Sequence, residues 1–356
     1  GEASLMGAII GMAQNFVGSN NINLLHPEGQ FGTRLQGGGD AASPRYIFTY
    51  MEPIVRKIFK AEDDCLLTHL YEDDKKVEPT YLLPIIPMLL VNGASGMGTG
   101  FSTTIPNFNP LEIIQNVRHY LNGEVLNSLR PWYRNFKGTI AIQDTKCITA
   151  GKWTKNGKTI HITELPVNTW VNDYKQFLDE LVEKGLIIKY KIGNKHDDKN
   201  VDFYVDMDEE DEKKIDATLG LTTRLCNFSN MHMFDPFYHL MKMSTDSDII
   251  QSFCKFRIHF YEKRKSHQIQ ILKRSVAFLN EKVRFVQSVI DQKIKVMNCS
   301  KVDVYKQLVE QGFKRNPHKT RIDIQAATPA EWIEASKDHV IVSDLYSRQY
   351  TNETPK

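Results

Sequence analysis

The sequence predicts an α+β fold made of more than one domain, and three observations lead to that prediction. The chain has 356 residues, which is enough for two or three domains. Short strand-like segments between turn residues fill its middle third. A long helical pattern with heptad spacing begins near residue 246.

The first segment, residues 1–78, opens with apolar residues at helical spacing, and this pattern stops at a Gly-Ser-Asn-Asn sequence, residues 18–21. A glycine-rich stretch follows at residues 29–40, and residues 43–50 predict a short strand or a turn into a helix. Because residue 1 is not Met and residues 5–10 already have the pattern of a helix interior, we expect the chain to be a fragment.

The second segment, residues 79–248, carries most of the strand signals. Residues 137–142 and 158–163 are β-branched runs bounded by turn residues, and residues 186–190 and 201–205 have similar patterns. The sequence therefore predicts a β-rich second domain.

The third segment, residues 249–356, is predicted to be mainly helical. Its apolar residues step by three and four for about three heptads, which favours a coiled-coil arm over a helix packed on its own domain. The seam consists of Ile269, Leu272, Val276, Leu279, Val283, Val286 and Ile290. A further amphipathic helix is expected from residue 301.

The composition excludes several classes of protein. The five cysteines are scattered and form no CxxC pair, so neither a disulfide framework nor a zinc site is expected, and a reducing compartment is the default. The longest apolar run, residues 85–91, is interrupted by Pro87, so no membrane partner is expected. The histidines show no metal-ligand spacing, and no metal-ligating residue is assigned.

Residues 29–40 hold five glycines in twelve positions. Glycines at this density let the backbone approach a ligand closely or adopt positive φ. The stretch lacks the GK[ST] ending of a phosphate-binding loop and does not match GxGxxG after a strand. A flexible loop is the alternative interpretation.

Arg45 and Tyr46 directly follow this loop, after Pro44. A free tyrosine has a pKa of about 10 and is a poor nucleophile at neutral pH. An adjacent guanidinium favours the phenolate and neutralises charge that develops on a phosphate. Attack of tyrosine on a phosphodiester fits such a pair, although an isolated Arg-Tyr dipeptide is more often structural.

A second glycine cluster, residues 93–100, places Met97 between two glycines. One interpretation is a tight turn whose Met packs inward. The other is an apolar wedge that inserts between stacked bases and kinks DNA.

These motifs, together with several others, resemble eukaryotic-type (type IIA) DNA topoisomerase II, in its breakage-reunion region. The similarity is dense to about residue 170 and thinner to about residue 313. The segments that carry it are residues 15–21, 29–34, 40–49, 77–79, 85–88, 92–100, 135–140 and 164–170.

The resemblance implies roles for individual residues. Tyr46 matches the nucleophile that forms a phosphotyrosyl bond to the 5′ end of a broken strand, and Arg45 matches the arginine that stabilises the transition state. Met97 stands where the family has an intercalating isoleucine, and Arg34 and Ser43 join it as expected DNA contacts.

The resemblance also implies a layout. Residues 1–78 would be a partial winged-helix domain with the catalytic tyrosine, and residues 79–248 a β-rich tower domain. Residues 249–356 would be one coiled-coil arm and part of the C-terminal gate.

The implied activity is the DNA cleavage and religation part of an ATP-dependent type II DNA topoisomerase, an isomerase. It forms a transient 5′-phosphotyrosyl double-strand break for duplex passage. Mg²⁺ and ATP would bind in the complete enzyme outside this fragment, which alone is expected to be inactive. The implied partners are double-stranded DNA and a second copy of the chain, in a homodimer closed by the C-terminal gate.

The chain departs from the family pattern at a few positions. Gly39 stands where a lysine is usual, Ser95 replaces an acidic residue, and Met97 replaces isoleucine. The resemblance implies that the metal-binding and ATPase domains of the family are expected outside these residues. These departures suggest a divergent member, such as one encoded by a large DNA virus. The expected location is the nucleus for a cellular protein and the host cytoplasm for a cytoplasmic DNA virus.

Two other classes stay open. The first is a non-catalytic DNA-binding or assembly module in which Tyr46 is simply buried. The second is a bacterial-type gyrase relative, whose tyrosine motif typically reads AAMRY, whereas this chain has AASPRY. Net charge is only +2 overall, but residues 251–300 alone carry +8. This basic arm is expected to line a passage for a duplex or to be a solvated helix face.

Overall fold

The computed structural model describes residues 1–208 and 211–313. The part of the predicted C-terminal gate beyond residue 313 lies outside the described residues. The helices are α1 Glu2–Ala13, α2 Val55–Ile58, α3 Ala61–Asp64, α4 Met88–Asn92, α5 Pro110–Asn122, α6 Val171–Glu183, α7 Glu212–Thr218, α8 Asp246–Ile290 and α9 Lys301–Glu310. Short 3₁₀ helices occur at Pro44–Tyr46 and Phe228–Asn230.

The described strands pair antiparallel throughout. They are β1 His69–Glu72, β2 Lys75–Pro79, β3 Ala94–Gly98, β4 Phe101–Ile105, β5 Thr139–Gln143, β6 Lys146–Ala150, β7 Lys152–Asn156, β8 Thr159–Glu164, β9 Lys189–Ile192, β10 Phe203–Asp206, β11 Thr222–Asn227, β12 Met231–Phe234 and β13 Leu240–Met243. One sheet has the order β7-β8-β10-β9 and another has the order β11-β6-β5. The pairs β1-β2, β3-β4 and β12-β13 are separate hairpins.

The chain divides into two compact units, Gly1–Glu262 and Lys263–Lys356. In the first unit, the four-stranded sheet packs against α6 and α7. Strand β8 alternates strictly between half-buried and buried residues, so that Ile160 and Ile162 point into the core. Helix α6 presents an apolar stripe to the same core, formed by Val171, Tyr174, Leu178 and Leu181.

A second core in this unit gathers α4, α5, β12 and the beginning of α8. Its fully buried side chains include Leu90, Phe108, Ile113, Met231 and Ile250. Helix α8 begins at a reciprocal cap in which Asp248 accepts from the backbone N–H of Thr245, and the Thr245 hydroxyl accepts from the N–H of Asp248. These contacts fix the start of the long helix within the first unit.

Asn21 joins distant segments of the first unit and is 4% exposed. Its amide nitrogen lies 3.0 Å from the carbonyl oxygens of Val91, Phe108 and Trp132, to which it donates. Its side-chain oxygen accepts from the backbone N–H of Arg134 at 2.9 Å. Because every polar atom of the side chain is used, Asn21 saturates buried backbone groups that would otherwise lack partners.

Part of the positive charge predicted for the arm lies in the protein interior. Arg257 belongs to the charged set of residues 251–300, but it is 3% exposed and forms an ion pair with Asp63, which is also buried. Its guanidinium also lies over the ring of Tyr261, 4.3 Å from the centroid. Arg257 therefore holds α8 to α3 and does not belong to a solvent-facing basic surface.

In the second unit, described to residue 313, the predicted helix is present and its seam faces solvent. The seven seam residues from Ile269 to Ile290 are between 41% and 69% exposed. The predicted helix at residue 301 is confirmed as α9, which packs on the last turns of α8. Phe285, Ile294, Val304, Leu308 and Phe313 form the small core of this unit.

Several predicted elements differ from the structure in their bounds. The first helix ends at Ala13, before the predicted stop at residues 18–21. The predicted strand at residues 186–190 is displaced to β9, since residues 184–188 form the turn that follows α6. The domain boundaries predicted after residues 78 and 248 stay predictions; residue 78 lies within β2, and the compact first unit continues to Glu262.

Candidate active site

The glycine-rich loop is closed by one carboxylate. Asp40 accepts from the backbone N–H of Thr33 at 2.8 Å and from the Thr33 hydroxyl at 2.5 Å. It also accepts from the side chain of Gln30 at 3.2 Å. These bonds bring the two ends of the loop together and give a fixed start to the segment that leads to Tyr46.

The glycines of this loop allow close packing within the protein. A Cβ atom at Gly37 would lie 2.3 Å from the indole of Trp170, and φ at Gly37 is +59°. A Cβ atom at Gly32 would lie 2.6 Å from the backbone of Gly38. Glycine is the residue that fits both positions, because a side chain would collide and the positive φ disfavours other residues.

Arg34 is placed in the interior. Its guanidinium is 3% exposed, lies 2.5 Å from a carboxylate oxygen of Glu164 and donates to the Leu165 carbonyl at 3.1 Å. Glu164 also accepts from the backbone N–H groups of Lys137 and Leu165, each at 3.0 Å. Contact between Arg34 and a DNA phosphate stays a prediction, and this geometry favours a structural role in which Arg34 braces the loop.

Arg45 and Tyr46 lie on the 3₁₀ turn Pro44–Tyr46, which begins after Ser43. The Ser43 carbonyl accepts from the N–H of Tyr46 at 2.9 Å, and all four residues are exposed. The Arg45 guanidinium carbon lies 4.8 Å from the centroid of the Tyr46 ring. The structure thus brings the two predicted catalytic residues together, with the tyrosine 66% exposed to solvent.

The chain leaves the turn as an irregular ribbon. Phe48 pairs with Glu28, and Met51 pairs with Leu25, as isolated antiparallel bridges. The Tyr50 ring stacks on His26 with centroids 4.7 Å apart, and His26 lies 2.8 Å from Glu52. Tyr46 is therefore presented from a segment that is fastened at both ends.

Met97 lies on the separate hairpin of β3 and β4 and is 95% exposed. The hairpin turns at Thr99 and Gly100, where φ at Gly100 is +78°. The alternative in which Met97 packs inward is therefore wrong in this structure, and the side chain projects freely into solvent.

The hairpin is anchored by β12 and the short helix before it, a support that the sequence reasoning did not identify. His232 donates its backbone N–H to the Thr103 hydroxyl at 3.0 Å, and its carbonyl accepts from that hydroxyl at 2.8 Å. The His232 ring lies 3.0 Å from the Ser102 carbonyl, and Asn230 donates to the Ser102 hydroxyl at 2.9 Å. Since β12 is 129 residues from β4, no local pattern could have revealed this support.

Glu164 and Trp170 are also supporting residues, and both belong to segments that carried the resemblance. The sequence held one signal for Glu164. It is a glutamate at an inward-facing position of β8, and a buried glutamate needs a cationic partner.

The described residues contain no group of three or more His, Cys, Asp or Glu side chains that could hold a metal ion. In the same part of the chain, none of the helices combines the length and apolarity needed to cross a bilayer.

The chain is similar in sequence to known DNA topoisomerases. A DNA topoisomerase 2 of Arabidopsis thaliana is 44% identical over 339 residues, which are 92% of this chain and 23% of the relative. A DNA topoisomerase 2-beta of Homo sapiens is 42% identical over 346 residues, covering 93% and 21%. The chain thus spans about a fifth of the length of these relatives.

The crystal structure of the Plasmodium falciparum topoisomerase II DNA-binding, cleavage and re-ligation domain has a similar fold. The TM-score is 0.87 at 37% identity, with 98% of this chain and 51% of that chain covered. The family model for the A-type subunits of DNA gyrase and topoisomerase IV matches residues 1–342. With nearly its whole length matched, the chain belongs to this DNA gyrase/topoisomerase IV family.

Proposed function

We propose that this chain is the DNA cleavage and religation part of an ATP-dependent type II DNA topoisomerase. The observation that carries the proposal is the exposed Tyr46 under the Arg45 guanidinium, on a turn fastened by the glycine-rich loop. This arrangement leaves the phenol hydroxyl accessible to a polymer as large as duplex DNA.

The reaction is a transesterification. The Tyr46 oxygen loses its proton and bonds to a DNA phosphorus, and the 3′ oxygen of the neighbouring nucleotide leaves and takes up a proton. Arg45 offsets the negative charge that builds on the phosphate oxygens. The phosphotyrosyl bond keeps the energy of the broken phosphodiester, so the reverse attack by the 3′ hydroxyl reseals the strand without a further cofactor.

The finer layout follows from the same proposal. Residues 1–78 act as the winged-helix domain, residues 79–248 as the tower, and residues 249–356 as the coiled-coil arm that leads to the C-terminal gate. The exposed seam of α8 supports the arm assignment, because an a/d stripe buries itself only against another helix. Met97 acts as a wedge between base pairs, and Ser43 contacts a phosphate beside Tyr46.

The complete enzyme is a homodimer that cuts both strands of one duplex and passes a second duplex through the break. We place its Mg²⁺ and ATP sites outside this chain, and we expect the chain alone to bind DNA without relaxing supercoils. Its location is the nucleus in a cell, or the host cytoplasm if a cytoplasmic DNA virus encodes it.

The test is covalent trapping in the full-length enzyme. We expect Tyr46→Phe to abolish the protein–DNA adduct recovered after denaturant quenching of a plasmid reaction, while DNA binding stays nearly unchanged. Tyr50→Phe is the matched control, because Tyr50 is an exposed tyrosine of the same segment and its variant should still form the adduct. An adduct with Tyr46→Phe would overturn the nucleophile assignment. A wild-type enzyme that forms no adduct would favour a non-catalytic DNA-binding module.

A further inference from the structure

Two buried cysteines face each other on neighbouring strands, away from the candidate active site. Cys147 on β6 is the direct register partner of Cys226 on β11. Cys147 is 0% exposed and Cys226 is 6% exposed, and both are free thiols. Directly opposed residues of an antiparallel pair have Cα atoms about 4.5–5.5 Å apart. Disulfides form at Cα separations of about 4.4–6.8 Å, a range that includes such opposed pairs.

The two thiols also interact electrostatically. A hydrogen bond from Cys147 lowers the pKa of the Cys226 thiol, and burial opposes this effect. The same hydrogen bond and burial raise the pKa of Cys147. The hydrogen bond between the two sulfurs therefore favours a thiolate at Cys226.

The buried Tyr133 lies close to both sulfurs. Burial of both cysteines limits the access of large reagents to the pair, whereas hydrogen peroxide is close to water in size. The backbone beside the pair is irregular, since the register of β11 shifts between Arg224 and Cys226. Such a bulge leaves one strand less firmly paired at this point, which eases local opening.

We propose that Cys147 and Cys226 are a peroxide-sensitive pair that forms a reversible cross-strand disulfide. The Cys226 thiolate attacks one oxygen of hydrogen peroxide, which gives a sulfenic acid and releases hydroxide. The Cys147 thiol then gives its proton to the departing hydroxyl while its sulfur attacks the Cys226 sulfur, so that water leaves. Overall, two thiols lose two hydrogens, and one peroxide is reduced to two waters. A dithiol such as dithiothreitol reverses the change by exchange.

The disulfide would close a loop that contains α6, α7 and the four-stranded sheet. It would also tie β6 to the strand that continues through Phe228–Asn230 into β12, the support of the Met97 hairpin. Oxidation would therefore slow the opening of β6 and β11 and restrict the segment that anchors the hairpin.

Other cysteines of the chain serve as internal controls. Cys254 is 3% exposed, and burial raises the pKa of its thiol to about 11, so it should resist peroxide. Cys65 is exposed and has no cysteine partner in the strand register, so it should oxidise without forming an internal cross-link. The variant Cys254→Ser is the matched control, since it removes a buried thiol that lies outside the pair.

The experiment exposes the full chain to hydrogen peroxide, blocks residual thiols with an alkylating agent and digests with trypsin without reduction. We expect mass spectrometry to find residues 147–152 joined to residues 225–242, with a mass about 2 Da below the sum of the two peptides. The cross-linked peptide should disappear after dithiothreitol and in Cys226→Ser, and should persist in Cys254→Ser. Hydrogen exchange of β6 and β11 should slow in the oxidised protein.

The proposal is overturned if Cys65 oxidises while both peptides of the pair stay reduced. It is equally overturned if Cys226 stops at a sulfenic acid, or if the cross-link joins other cysteines. Because the wild-type chain provides the main measurement, poor folding of a serine variant does not obscure the outcome.

Discussion

Replacing Glu164 by Met would leave the Arg34 guanidinium buried without its anion. The same change would remove the acceptor for the backbone N–H groups of Lys137 and Leu165. Removal of one partner of a buried ion pair costs about 3–5 kcal/mol. Domains are stable by about 5–15 kcal/mol, so the variant should unfold at a much lower urea concentration.

Arg34→Met should cost a similar amount, because it leaves the Glu164 carboxylate buried at 2% exposure without its cation. In the double variant both charges are gone and two apolar side chains meet. Its loss of stability should therefore be well below the sum of the two single losses. Urea unfolding of the four proteins, followed by tryptophan fluorescence, measures this coupling.

Measurements of DNA binding distinguish a bracing role of Arg34 from direct contact between Arg34 and a DNA phosphate. If Arg34 only braces the loop, both single variants should weaken DNA binding together, and the dependence of affinity on salt should be unchanged. A phosphate contact would instead lower the salt slope by about 1 in Arg34→Met and leave it unchanged in Glu164→Met. That result, combined with additive stability losses, would refute the bracing interpretation.

Three further changes test the active surface. Arg45→Ala should slow cleavage, measured by quenched flow, by about 10²-fold, while DNA affinity, measured by anisotropy, changes little. Equal losses of rate and affinity would make Arg45 only a docking residue. Met97→Ala should reduce bending of bound DNA, measured by energy transfer between labelled duplex ends, and an unchanged bend would reject the wedge. His232→Ala removes the ring contact with the Ser102 carbonyl. The loss of about 1 kcal/mol should speed hydrogen exchange in residues 94–105 by about fivefold. Unchanged protection would show that the ring does not support the hairpin.

The sequence was informative where a pattern is local. The start of the long helix near residue 246 was predicted from the helical spacing of apolar residues and matches α8. Two of the β-branched runs match β5 and β8 within two residues. The adjacency of Arg45 and Tyr46 needed no tertiary information, because the two residues are neighbours in the chain.

The remaining features depend on contacts between distant segments. Arg34 lies within the glycine-rich loop, and the family resemblance implied that it contacts DNA. Its burial depends on Glu164 and Leu165, the latter 131 residues away. The β3–β4 hairpin was interpreted as a glycine turn, because glycine has low strand propensity and the pairing partner was not visible locally.

The hydrogen bonds of Asn21 impose an order on the folding of this protein during its synthesis. Its acceptors and donor come from residues 91, 108, 132 and 134, and the last of these is 113 residues further along the chain. While the ribosome is still making those residues, the Asn21 amide has no carbonyl to bind. The segment around Asn21 therefore reaches its final packing only after residue 134 has emerged, and a nascent chain stalled earlier would keep this segment open to proteases.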